Sequence, residues 1–374
     1  MSRAGVVIAL AGAVVNGAAL RVVSPRRFPA MPLLLAQRQD RVRAALFGFA
    51  VGDALGFPWR GLPPASGLRA SQLADDFASR PRGRFAKGQF SDDTQVMLAL
   101  AESVAREGRL DGRTAAQQIA WLWQEGVILQ PPPQATAAAE AILRGTPWMS
   151  AGAPVGVTDP SCLSRGVVIG VWSDDRPARL AHDAGVVAIL THKDPLCAAG
   201  VAAVARAVQL GLSGEPVNAE RFCAEVSQAA AGCQQDLADE LYYLPRVLGW
   251  DPSKALAALG RIGVPQSQLV DQPGIPSHVT PVLLTALYAC LKAPHDLREA
   301  LNLVLRCGGE VDVAAGVVGA VLGASMGLEA VPARLRKNLL YGEAVLDAAD
   351  RLFDARLSTL PAVTASARTA AARR

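Results

Sequence analysis

The stretch Val42-Arg43-Ala44-Ala45-Leu46-Phe47-Gly48-Phe49-Ala50-Val51-Gly52-Asp53-Ala54-Leu55-Gly56 decides the fold class. Val42, Ala45, Leu46 and Phe49 recur at three- and four-residue steps, the spacing of one helix face. Gly52 to Gly56 closes that helix. Residues 57–90 lack periodicity and hold Pro58, Pro63 and Pro64, which reads as a long surface loop. Ser91 opens a second helix whose Val96, Ala99, Leu100 and Val104 share a face. Helical patterns follow over 112–125, 134–144, 178–190, 195–212, 218–230, 234–247, 253–259, 278–291, 295–306, 312–327 and 342–355. Pro131-Pro132-Pro133 and the 145–160 stretch are breaks. Alternating patterns are almost absent; Val167–Val171 is the best short strand candidate and reads equally well as a buried helical turn. No long internal repeat stands out. The expectation is one all-α domain over residues 37–356.

Composition agrees. Of 374 residues, 51% are hydrophobic and 19% charged, a globular balance. The net charge of +4 belongs to the ends. Arg3, Arg21, Arg26 and Arg27 precede the domain, and Arg356, Arg368, Arg373 and Arg374 close the chain. Without them the body holds 29 basic against 33 acidic side chains. The basic balance is thus poor evidence for nucleic-acid binding, which needs a basic face on the folded domain, and no nucleic-acid partner is expected. Residues 1–36 read as a leader, either disordered or not native to the folded protein, with a secretory or anchoring segment as the alternative; Ala4–Leu20 is apolar but short and broken by Asn16 and glycines. Stable membrane association is not expected. Residues 357–374 read as a flexible basic tail. Cys162, Cys197, Cys223, Cys233, Cys290 and Cys307 form no CxxC pair, which points to a reducing, cytoplasmic setting.

Three places put acids where an apolar fold resists them. Ser91-Asp92-Asp93-Thr94 precedes an apolar helix, where serine caps and acids complement the dipole. In Gly308-Gly309-Glu310-Val311-Asp312-Val313, two carboxylates sit among valines and alanines. Burying them unpaired costs several kcal/mol, roughly, unless a hard cation or a partner such as Arg60 is present. Acids two apart do not share a helix face, so they converge only if the glycines hold a tight turn before the helix begins. Asp53 is the third, and a helix-end hydrogen bond to the backbone is its ordinary role. Oxygen ligands of this kind suit Mg²⁺ or Mn²⁺ rather than zinc. His192, in Leu190-Thr191-His192-Lys193-Asp194-Pro195, is the one histidine in a polar cluster.

Taken in order, these pieces resemble the ADP-ribosylglycohydrolase family, which includes dinitrogenase reductase activating glycohydrolase. The resemblance rests on Gly52-Asp53-Ala54-Leu55-Gly56-Phe57-Pro58, Gly88-Gln89-Phe90-Ser91-Asp92-Asp93-Thr94, Leu190–Pro195, and Cys307–Asp312 running into Gly316–Ala324 and Val331-Pro332. It spans about residues 40–355. It implies a single-domain orthogonal helical bundle with two Mg²⁺ or Mn²⁺ ions in a cleft. The implied reaction is hydrolysis of the glycosidic bond between ADP-ribose and an acceptor, either a modified protein side chain or a small molecule. By motif match Ser91, Asp92, Asp93, Glu310 and Asp312 are the implied metal ligands. Asp93 or Asp312 is the implied activator of water, and His192, Asp53 and Arg60 are placed at the substrate.

The sequence departs from the family pattern at four positions. Glu310 replaces Asp, Val311 and Val313 replace Thr, and Arg60 stands where many members carry Glu. Val313 has no hydroxyl for a metal, and Arg60 reverses a charge. The remaining oxygens suit one cation better than two. The alternative reading is a degenerate member that binds ADP-ribose or an ADP-ribosylated partner without hydrolysis. The 57–90 loop and the 145–165 stretch are expected to line the mouth of the cleft.

Overall fold

The computed structural model describes residues 33–65, 72–79, 85–173, 179–215, 218–265, 269 and 274–359. The expected leader up to residue 32 and the expected tail from residue 360 lie outside the described residues. The helices run α1 (Leu35–Gly56), α2 (Asp92–Glu107), α3 (Gly112–Gln124), α4 (Pro133–Leu143) and α5 (Trp148–Ala151). Next come α6 (Arg165–Trp172), α7 (Leu180–Ala188), α8 (Pro195–Leu212), α9 (Ala219–Ala231), α10 (Gln235–Tyr243) and α11 (Pro252–Leu259). The chain closes with α12 (Val279–Lys292), α13 (Leu297–Leu305), α14 (Val311–Met326), α15 (Ala333–Asn338) and α16 (Gly342–Ser358). Among the described residues there is no strand, only isolated bridges at Ala153–His192 and Ile275–Gly309. The fold is all-α.

Boundaries fall close to the periodicity, with instructive exceptions. Leu35 and Ala36, assigned to the leader, already belong to α1, and Leu357 and Ser358, assigned to the tail, complete α16. Val167–Val171 is helical: all eight residues of α6 are buried, so no polar face remains to reveal a helical period. Residues 244–247 leave α10 as a 3-10 turn at Pro245, since a proline lacks the N–H that an α-helix needs there. Helix α8 is long and apolar enough to cross a membrane by length and composition, yet most of it is buried inside the fold as a core helix. All six cysteines are free.

The centre of the molecule is the antiparallel pair α1 and α14. Their backbones touch because glycines remove the side chains between them. A Cβ at Gly48 would lie 2.1 Å from the Gly319 carbonyl oxygen, and one at Gly52 would lie 2.0 Å from that of Ala315. A Cβ at Gly56 would lie 2.4 Å from the Asp312 Cα. The same contact therefore sets the end of α1 against the start of α14, with Asp53 and Asp312 on adjacent turns. Ahead of α14, Gly308 (φ 72°) and Gly309 (φ 74°) adopt the left-handed region that side chains resist. Their backbone is gripped from both sides: Gly309 N–H donates to Leu62 O, Gly61 N–H to Gly309 O, and Ile275 N–H to Gly308 O. This is the tight turn expected before the helix.

Two alanine substitutions test this packing by chemical denaturation. Gly52→Ala drives a methyl into Ala315 and is expected to destabilise the fold by about 1–3 kcal/mol, the range for overpacking. Gly185→Ala in α7 meets nothing within 4 Å and is expected to stabilise by about 0.5–1 kcal/mol through helix propensity.

Candidate active site

The site grows from the start of α2. Ser91 caps the helix: its Oγ accepts the Asp93 N–H at 3.2 Å and donates to Asp93 Oδ2 at 3.2 Å. Asp53, from the last turn of α1, anchors the same helix end. Its carboxylate accepts the Ser91 N–H at 3.1 Å, the Thr94 N–H at 3.2 Å and the Thr94 hydroxyl at 2.5 Å. A negative group at a helix N-terminus is electrostatically favoured. Asp53 is thus a backbone anchor reaching across from another helix. It is fully enclosed and lies outside the cavity lining. Burial and repulsion by Asp312 push its carboxyl up to about 6, against the hydrogen bonds from Thr94 and Ser91.

Asp92, Asp93, Glu310 and Arg60 line one cavity of about 570 Å³, together with Asp159, Ser161, Ser277 and Val313. That volume lies within the range of small-molecule sites. Asp312 is fully buried beside it. Arg60 sits among these acids. Its Nη1 is 3.1 Å from Asp312 Oδ2 and 3.3 Å from Asp92 Oδ1, and its Nη2 donates to the Gln130 carbonyl at 3.0 Å. The guanidinium also lies 5.2 Å from the centre of the Phe57 ring. Gln130 holds a left-handed backbone (φ 54°), uncommon outside glycine.

The electrostatics are those of crowded acids. Burial pushes Asp92 well above the usual carboxylate range; Arg60 opposes this, while Asp53 and Asp312 add to it. Burial and repulsion by Asp92, Asp312 and Asp53 raise Asp93 likewise. Glu310 is pushed up to about 8 by burial and by Asp312. Burial would lower Arg60, but Asp312, Asp92, Asp93 and Glu310 outweigh it and hold the guanidinium above its ordinary value.

Of the expected metal ligands, Asp92, Asp93 and Glu310 line the cavity while Ser91 and Asp312 are buried outside its lining, and as arranged they do not fit a metal centre. Arg60 already engages Asp92 and Asp312, and Val313 presents methyls to the cavity. Asp93 Oδ1 is buried without a hydrogen-bond partner, but the neighbouring buried carboxylate, Asp312, is engaged by Arg60 through Oδ2, which leaves too few open oxygens for a coordination shell. Among the described residues, no three carboxylate, imidazole or thiol groups converge as ligands.

His192, expected at the substrate, is 1% exposed and lies outside the cavity lining. Arg165 Nη2 donates to Thr191 Oγ1 at 2.7 Å, and that hydroxyl lies 2.8 Å from His192 Nδ1. Thr191 Oγ1 thus links the buried Arg165 guanidinium to the His192 ring. Around His192, Ala153 N–H donates to Thr191 O at 2.7 Å and Lys193 N–H to Ala153 O at 2.9 Å. This bridge fastens the segment that carries Asp159 and Ser161. Arg165, itself fully buried, lies within electrostatic reach of Asp93 and Asp159. The sequence reading missed Arg165, Asp159, Ser161 and Gln130 as individuals. Asp159-Pro160 as a helix-start signal and the prolines after Gln130 were the available local hints. The expected mouth segments do reach the cavity, through Arg60 from one and through Asp159 and Ser161 from the other.

Comparison with known proteins places these features in a family. The ADP-ribosylglycohydrolase family matches residues 34–361. ADP-ribosylarginine hydrolase Tri1 of Pseudomonas putida is 25% identical over 85% of this chain and 79% of its own length. The ADP-ribosyl-[dinitrogen reductase] glycohydrolase of Rhodospirillum rubrum is 24% identical over 78% of this chain and 88% of its own. A solved structure described as an ADP-ribosylglycohydrolase-related protein complex superposes with a TM-score of 0.67 at 22% identity, covering 86% of this chain and 99% of that one. The all-α fold is shared with that solved structure, and the match over residues 34–361 shows that this chain belongs to the ADP-ribosylglycohydrolase family.

Proposed function

We propose that the chain hydrolyses the glycosidic bond joining ADP-ribose to an acceptor, a protein side chain or a small molecule, in a cytoplasmic setting. The observation that carries this reading is that Asp92, Asp93 and Glu310 line one cavity in a member of this family. When the C1″ bond breaks, positive charge develops on the ribose. Carboxylates fixed nearby stabilise that charge and orient the incoming water. Asp93 is the residue best supported for the water, because its Oδ1 is buried and has no other partner. The water adds to the anomeric carbon, and the acceptor departs with the bonding pair and a proton. Asp312 supports Arg60, and the backbone bridge at His192 fastens the segment that brings Asp159 and Ser161 to the cavity.

A second reading, binding without hydrolysis, is favoured by the ion pairs of Arg60. Release of free ADP-ribose from modified arginine and serine peptides, assayed in EDTA and in Mg²⁺ or Mn²⁺, separates the two. We expect release from at least one substrate and a loss of about 100-fold or more in kcat/KM for Asp93→Ala, the scale of general-base catalysis. ADP-ribose binding in calorimetry with no release from any substrate would move the assignment to the binding reading.

The His192 bridge gives a prediction about acid. Burial, chiefly, lowers His192 to about 4 from 6.5, so the folded chain holds the imidazole neutral. Below pH 6.5 the unfolded chain takes up a proton that the folded chain refuses, so stability falls as pH drops toward 4. Asp53 and Glu310, whose folded values are raised, act with the opposite sign. The difference between native chain and His192→Gln isolates the histidine. From pH 6.5 to 4.5 the native chain should lose about 2 kcal/mol more than the variant, read from urea denaturation; parallel losses would show that the imidazole is already charged in the fold.

A further inference from the structure

Arg60 is built into the acidic cleft from several directions. Gly56 and Pro58 end α1 in a 3-10 turn (Phe57–Trp59) that delivers Arg60 to the mouth of α2 and α14. Its Nη1 meets carboxylates from both of those helices, Asp92 and Asp312, while its Nη2 meets the Gln130 carbonyl. That carbonyl belongs to a residue held in the left-handed region, and the Phe57 ring backs the guanidinium. Its side chain is only 17% exposed. The other buried cation nearby, Arg165, gives its Nη groups to Val187 O and Thr191 Oγ1 rather than to a carboxylate.

A divalent ion in such a cleft would perform two services: joining acids from separate helices and offsetting their charge. Arg60 performs both with groups of the chain itself. The Val313 methyls line the same cavity and offer no oxygen to a competing ion. We propose that Arg60 is the resident cation of this cleft, a positioning residue that joins Asp92 to Asp312 and excludes a divalent ion from them. This deepens the proposed reading of the cleft as the reactive site, although it concerns charge rather than turnover. A fixed positive charge within about 4 Å of a divalent ion repels it, and two carboxylates that already share one guanidinium nitrogen, Arg60 Nη1, are poorer ligands.

The test is Mn²⁺ binding to the full chain, followed by electron paramagnetic resonance, for the native protein, Arg60→Gln, Arg60→Glu and Arg60→Lys. Arg60→Gln and Arg60→Glu should bind Mn²⁺ at least about tenfold more tightly than the native chain, and Arg60→Lys, which keeps the charge, should resemble it. Melting gives a second readout that needs no variant: millimolar Mn²⁺ should leave the native midpoint unchanged. Mn²⁺ bound as tightly by the native chain as by Arg60→Gln would overturn the proposal. So would failure of both charge-removing variants to bind Mn²⁺, or a rise of several degrees in the native midpoint. None of these outcomes depends on a substrate being cleaved, so a failure of the hydrolase reading is seen separately in the peptide assay.

Discussion

Backbone against backbone along α1 and α14 is the contact from which the remaining geometry follows. Gly48, Gly52 and Gly56 on one helix meet Gly319, Ala315 and Asp312 on the other with no room for a Cβ from the first. Helices that carry side chains at their contact pack about 8–10 Å apart; glycine lets them approach more closely. The consequence is chemical as well as mechanical. The residue after Gly52 is Asp53, and the residue opposite Gly56 is Asp312, so close packing forces two carboxylates together in a dry interior. One of them is then directed to the N-terminus of α2, where backbone N–H groups await a negative partner. The position of Ser91, Asp92 and Asp93 is inherited from that bond.

Such a design concentrates negative charge where water is scarce. Asp53, Asp92, Asp93 and Glu310 all have raised proton affinities, and burial is the first cause in each. Stability taken alone would favour replacing them with apolar groups. Their retention at the wall of a cavity agrees with the general observation that perturbed acids gather where chemistry is done. Arg60 offsets part of the repulsion, and it does so from the exposed side, where a guanidinium can meet two carboxylates and a carbonyl while keeping contact with solvent.

How much of this could be read from the chain follows from how local each interaction is. Amphipathic helices such as α2, α3 and α13 show themselves by period, because one face is wet. Helix α6 has no wet face and so no period, which is why Val167–Val171 read as a strand or a helical turn. The Ser91 cap and the double-glycine turn before α14 are legible because capping and left-handed backbone are decided within a few residues. The anchoring of α2 by Asp53 spans 38 residues in sequence, and the Arg60–Asp312 pair spans far more, so no local pattern specifies either. The ambiguity at Asp53 is of this kind: its appetite for backbone N–H groups was readable, but the helix supplying them was not. The burial of His192 was hidden for the same reason, since its neighbours come from the 150s and from α6.

Arg60, Val313 and Glu310, the departures from the pattern that the resemblance implies, bear on one another. A guanidinium at position 60 alone would leave a threonine at 313 with a hydroxyl facing a cavity that had lost its need for a ligand. A valine at 313 alone would leave the acids short of one oxygen and still in need of compensation. Both changes line the same cavity, and each makes the other tolerable: the charge arrives with Arg60, and Val313 gives up a polar group that Arg60 makes redundant. Glu310 fits the same logic. Glu310, at the helix start, lies largely buried beside Ser277 while Asp312 takes the contact with Arg60. The altered positions thus act as one electrostatic unit, in which a cation attached to the chain stands against acids drawn from three helices.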